Sequence, residues 1–360
     1  MRKHIRFAAL ALLGATVLTS CLKDEEPEPI IQDADLHPET GILLVNQGSM
    51  YSGIDGTLSL LDLTTGGLTN GIFRATNGQS LGDSPQNAIA YGSKVYVSVF
   101  GSNLVWVLDR RTLQIVKKVE TNSPEWVAGA NGYVYVANND GYVSKIDTTA
   151  LAITDRLAVG PNPACLLADA TYLYVSISDG YNSDGGYANG KRVARIRLSD
   201  FTPADAIPVG LNPGRLVQGT DGGPIFVVCQ GNWADIAPAV WKVSGNEAHE
   251  FCPGSMAAAN AGQLYVINSV TDWSTYTTTT DYKVYDTTTG EVKNDNFIGG
   301  TEPESPTFIA AKKGSTDIYI GSRASGYDYT SPGYLYVFGN EGTLRKKYDV
   351  GIEPYSLVFF

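Results

Sequence analysis

Histidine is almost missing from this chain: three in 360 residues, at positions 4, 37 and 249. Methionine (3) and cysteine (4) are as sparse. No HxxH, HExxH, CxxC or GxSxG spacing occurs, so zinc-hydrolase and nucleophile-triad chemistry lack their parts. Acidic residues do occur in loops (Asp179, Asp184, Asp235, Asp272, Asp281, Asp328), but without the spacing of a calcium loop. They read as turn and solvated-face carboxylates, and neither a catalytic nor a metal site is expected. Positive charge is also short, with 26 Lys and Arg against 37 Asp and Glu. Three of the 26 (Arg2, Lys3, Arg6) fall in the first 20 residues, which hold no acid, so the rest carries a formal −14. That balance argues against nucleic acid or an anionic membrane surface as partner. Past residue 20, no run is long and apolar enough to span a bilayer.

What is plentiful is glycine (39), tyrosine (21) and proline (17), and the prolines carry a repeat. A residue, a proline and a short apolar run recur at Ser84-Pro85, Ser123-Pro124, Asn162-Pro163, Asn212-Pro213, Cys252-Pro253, Ser305-Pro306 and Glu353-Pro354. The first six are each followed by a strand of period two: KVYVSVF, YVYVAN, YLYVSIS, PIFVVCQ, QLYVINS and DIYIGSR. Successive prolines lie 39 to 53 residues apart. Repeats of this length built from short strands predict an all-β fold, a β-propeller. The last phrase, EPYSLVFF, has no strand after it, while GILLVNQ (41–47) has no phrase before it. Pairing residues 354–360 with 41–47 closes a ring of seven blades and removes its open edges. The propeller is therefore expected to span 41–360.

Within a repeat, the proline phrase crosses from the fourth strand of one blade to the inner strand of the next. Third strands end on Asp62, Asp109, Asp147 or Asp286 before Thr- and Gly-bearing turns, where the carboxylate serves the turn. The long insertions fall after second strands, in blades one, four, five, six and seven. They share a face with the proline crossovers, so one end of the ring is expected to carry function. That face collects Tyr51, Phe100, Trp126, Tyr181, Tyr187, Trp233, Trp273, Tyr276, Tyr327 and Tyr329. Gln86, Asn87, Arg215, Arg323 and Tyr355 are the polar and phrase residues placed with them. Trp106 and Trp241 sit in third strands and read as packing. Aromatic plates among amide and guanidinium groups suit a large, flat, polar-edged ligand or a glycan. Cys229 and Cys252 are placed at the same end of adjacent blades, either bridged or free, with Cys165 as the odd one.

Residues 1–20 read as a signal peptide, basic at the start and apolar over Phe7–Val17. Leu18-Thr19-Ser20-Cys21 matches a bacterial lipobox, which makes Cys21 the expected lipidated N-terminus. The following 21–40 stretch is acidic and proline-bearing and reads as a tether.

The proline-led inner strand with VYVAN (134–138) resembles the YncE-like seven-bladed propellers. With Leu18–Cys21 and the Lys23–Glu26 run added, the chain is similar to the BtuG-type cobalamin-binding surface lipoproteins of Bacteroides. That resemblance implies a non-enzymatic protein, lipid-anchored on the outer face of the outer membrane. It further implies a corrinoid such as vitamin B12 as transported ligand, with no cofactor of the protein's own, and a TonB-dependent, BtuB-like transporter as partner. It brings no ligand residues to this chain; the fifteen site residues above rest on loop placement. A glycan or peptidoglycan-fragment binder, or a platform for protein interaction only, fits the same residues.

Overall fold

The computed structural model describes residues 38–219 and 222–360. The predicted signal peptide, Cys21 and the tether as far as residue 37 lie outside the described residues. From residue 41 the chain builds a ring of seven four-stranded antiparallel sheets. Its inner strands are Pro354–Phe359, Pro85–Tyr91, Pro124–Ala130, Pro163–Ala168, Pro213–Gln218, Met256–Asn260 and Ser305–Ala311, for blades one to seven. Each inner strand packs beside that of the next blade, all the way around.

Period two explains why the second strands are so uniformly apolar. In Tyr133–Asn138, Val134 and Val136 face blade two, while Tyr135 and Ala137 face blade four. Each strand is thus buried on both faces, and polar alternation disappears. Among the described residues the core falls into seven clusters, one between each pair of neighbouring blades. Fully burying one aliphatic side chain in such a seam contributes roughly 1.5–3 kcal/mol.

Closure follows the expected pairing. Gly41–Asn46 runs antiparallel to Pro354–Phe359, with Ile42 opposite Phe359 and Leu44 opposite Leu357. The Gln47 N–H donates to the Glu353 carbonyl at 2.8 Å. Asp62, Asp109, Asp147 and Asp286 each accept backbone N–H groups two and three residues on, as expected for turn aspartates.

The proline phrase has a conformational signature. Ser84, Ser123, Asn162, Asn212 and Glu353 all adopt left-handed backbone, with φ of 53°, 39°, 49°, 61° and 51°. Each turns its carbonyl to accept the N–H of the residue just past its blade's second strand: Phe100, Asn139, Ser178, Gln230 and Gln47. After the proline comes a register shift in the inner strands of blades one to five and seven. A bulge of this kind leaves a residue outside the ladder and re-aims its side chain.

Three expectations are corrected, and blade one adds a feature that was not expected. Pro253 ends the outer strand Glu247–Pro253 and does not open the inner strand of blade six, which starts at Met256. The insertion read as a loop in blade six is a hairpin, Gln263–Asp272 against Thr277–Asp286. Its β-branched run pairs across the strands, with Ser269 facing Thr280 and Thr271 facing Thr278. Blade one has an outer strand of only two residues, Leu68–Thr69, and then a short helix, Ile72–Asn77. Phe73 of that helix packs on Trp106, whose indole N–H donates to the Leu81 carbonyl. Finally, Cys229 and Cys252 are free and buried. They lie in one blade, not two. Cys229 pairs across from Ala239, and Cys252 from the next residue, Val240, so the two side chains leave opposite faces of the sheet. Cys229 joins the seam to blade four and Cys252 the seam to blade six.

Candidate functional site

The bulges face the central channel. The residues they displace are Tyr355, Gln86, Glu125, Ala164, Gly214 with Arg215, and Thr307. All but Gln86 line one cavity of about 930 Å³ that runs from the channel to the crossover face. Every inner strand contributes to its wall. Hydroxyls tie the bulges from blade to blade: Ser356 Oγ donates to the Gln86 carbonyl at 2.8 Å, and Ser176 Oγ to the Gly214 carbonyl at 2.7 Å. Thr307 bonds the Pro354 carbonyl in the same manner. The ring of channel residues is therefore held by neighbouring blades.

Arg215 is the centre of the floor. Its guanidinium carbon lies 3.8 Å from the Trp126 ring centroid and 4.7 Å from that of Tyr355. One N–H donates to the Tyr355 carbonyl at 3.2 Å. A guanidinium held against two rings leaves its edge available for planar partners. Glu125 stands in the same floor. Burial pushes its carboxyl up to about 7 and the positive charge of Arg215 only partly opposes this. Solvent reaches Glu125 through the channel although protein surrounds it. Its carboxyl makes no hydrogen bond or ion pair with a described residue. Cys165 lies below, donated to by the Leu216 N–H, and burial raises its thiol to about 11, far from nucleophilic use.

The mouth is lopsided. Trp233 and Ile236 of blade five, Trp273 of blade six, and Tyr327 and Tyr329 of blade seven wall one side. Each is exposed: 52% for Trp233 and Trp273, 62% for Tyr327. Arg323 joins that wall. It is clamped by Glu353 at 2.8 Å, by Ser305 at 3.1 Å and by the Tyr329 ring, but its Nε–H has no partner among the described residues. Burial raises the Glu353 carboxyl, countered by Arg323.

The structure thus brings together Asn87, Trp126, Arg215, Trp233, Trp273, Arg323, Tyr327, Tyr329 and Tyr355 on one cavity. The other six expected residues are placed elsewhere. Tyr187 is buried and packs edge-on to Trp233 at 5.9 Å, supporting it. Gln86 is buried and accepts from Gln47 at 2.7 Å, spending its amide on the seam between blades. Phe100 sits in a tight turn of blade two, and Tyr276 at the exposed tip of the blade-six hairpin. Tyr51 and Tyr181 are exposed outside the lining. Tyr181 is open to solvent at its surface, yet the protein around it raises its phenol, with Glu125 and then Tyr51 adding to the effect. Loop placement alone missed Glu125, Ala164, Gly214, Thr307 and the Ser269–Thr271 rung. The available signal was position: all but the rung follow a phrase proline by one residue. Four of the six loop carboxylates, Asp179, Asp235, Asp272 and Asp328, are committed to their own loops. Asp179 accepts from Asn182 and Asn189, and Asp328 from Thr330 and Ser331, which holds Asp328 down at about 2. Among the described residues, no three His, Cys, Asp or Glu groups converge as metal ligands.

No protein-family model and no curated protein matches this chain. Solved structures do. A Bacteroides thetaiotaomicron quinonprotein alcohol dehydrogenase-like protein aligns at a TM-score of 0.63 and 14% identity, over 89% of this chain and 78% of its own. Kuenenia stuttgartiensis hydrazine synthase aligns at 0.59 and 14%, over 75% and 86%. The computationally designed Ika8 protein aligns at 0.52 and 12%, over 88% and 89%. At such identities the likeness speaks for the fold alone. The chain is a seven-bladed β-propeller.

Proposed function

We propose that this propeller is a non-catalytic capture protein for a corrinoid, cobalamin or a close relative, held in the channel mouth. The supporting observation is the cavity: about 930 Å³, with aromatic planes at one rim and Arg215 and Glu125 in its floor. That volume is near the top of the roughly 300–1,000 Å³ range of small-molecule sites. A corrin offers a broad face for the rim aromatics and amide side chains for the polar floor. The ligand brings its own cobalt coordination, so the protein needs no histidine. The Leu18–Cys21 lipobox supports a lipid anchor in the outer membrane, and the Lys23–Glu26 run an outward-facing position. Hand-over to a TonB-dependent, BtuB-like transporter would use the exposed Trp and Tyr rim, since aromatic-rich surfaces also serve interfaces.

A second reading takes a glycan in place of the corrinoid. The half-exposed Trp233 and Trp273 favour it, because sugar rings stack on such planes. Titration with cyanocobalamin and with oligosaccharides, followed by absorbance and tryptophan fluorescence, separates the two. Corrinoid capture predicts saturation by cyanocobalamin alone. Saturation by oligosaccharide alone selects the glycan reading. Protease shaving of intact cells tests the surface position separately.

A further inference from the structure

We propose that the channel floor is a recognition site for a primary carboxamide, with Arg215 donating to the amide oxygen and Glu125 accepting from the amide nitrogen. The identity of the cargo rests on the corrinoid reading: the amide is one borne at the edge of that ligand. The site itself rests on geometry.

Three features lead to it. Arg215 is fixed by its two rings and spends one hydrogen bond on a backbone carbonyl, which leaves other N–H groups of the fork to face the cavity. Glu125 faces the same cavity with no partner for its carboxyl among the described residues. The two opposite charges feel one another, yet no ion pair closes between them. A channel that wanted only a structural salt bridge would close it; this one holds donor and acceptor apart. The group that completes both must accept at one atom and donate at the next. A planar amide does so with its carbonyl oxygen and its NH₂, matched to the planar guanidinium. A carboxylate satisfies Arg215 but sets two acceptors against ionised Glu125. An amine satisfies Glu125 and leaves a cation against Arg215. Both bulged positions are braced by hydroxyls of the neighbouring strands, Ser98 on the Glu125 carbonyl and Ser176 on the Gly214 carbonyl, so the spacing is held by the fold.

The test uses the full chain and two matched probes, propionamide and propionate. They are followed by the indole N–H signal of Trp126, assigned by its loss in Trp126→Phe. The pH is set at about 8.5, above the Glu125 transition and below those of the other groups that face it. Burial raises the Tyr355 and Tyr181 phenols and the Cys165 thiol. The expected result is saturable shifting by propionamide, with propionate at least about tenfold weaker, as one lost charged hydrogen bond costs. Glu125→Gln should bring propionate within a few-fold of propionamide, because the glutamine amide donates where the carboxylate repelled. Equal binding of the two probes by the native chain, binding of neither, or an unchanged ratio in Glu125→Gln overturns the proposal. If Glu125→Gln does not fold, the native comparison decides alone. Propionamide binding without cyanocobalamin binding keeps the amide site and removes the corrinoid reading. Cyanocobalamin binding without propionamide preference does the reverse.

Discussion

Glu125 carries a cost that is readable as stability. Its carboxyl sits at about 7 in the folded chain against an ordinary 4.5. The folded state therefore holds a proton that the unfolded chain loses as pH rises past 4.5. Stability falls across the window from 4.5 to about 7 and stays lower above it, by up to about 3 kcal/mol. Glu125→Gln should remove that loss: its melting temperature should match the native chain near pH 4.5 and exceed it near pH 8. An equal difference at both pH values would contradict burial as the cause. Beside it, Trp126→Ala removes one face of the Arg215 sandwich, a contact of about 1–2 kcal/mol when desolvated. It should weaken ligand binding by roughly tenfold or more in a calorimetric titration, and unchanged affinity would take Arg215 out of the site. Which residues would meet was only half legible. Glu125, Trp126, Arg215 and Tyr355 stand out because each follows a phrase proline closely. Nothing in residue order shows that a bulge turns Glu125 inward while the Gln86 amide at the same place goes to Gln47. That outcome depends on the neighbour blade.

At the scale of elements, the inner and second strands were legible because proline punctuates them and burial on both faces makes them uniform. The outer strands were not. They are exposed on one side and carry little pattern, so the two-residue strand and helix of blade one went unseen. The Thr-rich insertion of blade six was misread for a related reason: pairing across a long hairpin is set by register, and composition alone does not reveal it. Seams between elements also rest on single close approaches. A Cβ on Gly129 would meet the Tyr91 ring at 2.4 Å, where blade two leans on blade three. Tyr91 in turn accepts the Gly132 N–H at 2.9 Å. Gly129→Ala is expected to lose about 1–3 kcal/mol by overpacking, seen as a lower urea midpoint with unchanged slope. No change in midpoint would show the seam to be slack.

For the whole molecule, seven blades and their closure followed from counting phrases and strands that lack a partner at each end of the chain. Ring closure makes the last residues structural. Truncation after Glu353 removes the inner strand of blade one together with Tyr355 from the floor. It should leave Gly41–Asn46 as an open edge and turn the protein to aggregate, read by light scattering. A soluble, cooperatively melting truncation would contradict closure as the source of stability. The face that carries the cavity mouth was also legible, from the shared side of long loops and crossovers, whereas the lopsided wall of Trp233, Trp273 and Tyr327 was not. Whether this mouth captures a corrinoid is decided first by isothermal titration of the full chain with cyanocobalamin. Saturable one-to-one binding, weakened in Trp126→Ala, is the expected outcome. An absence of heat with micromolar protein would overturn corrinoid capture.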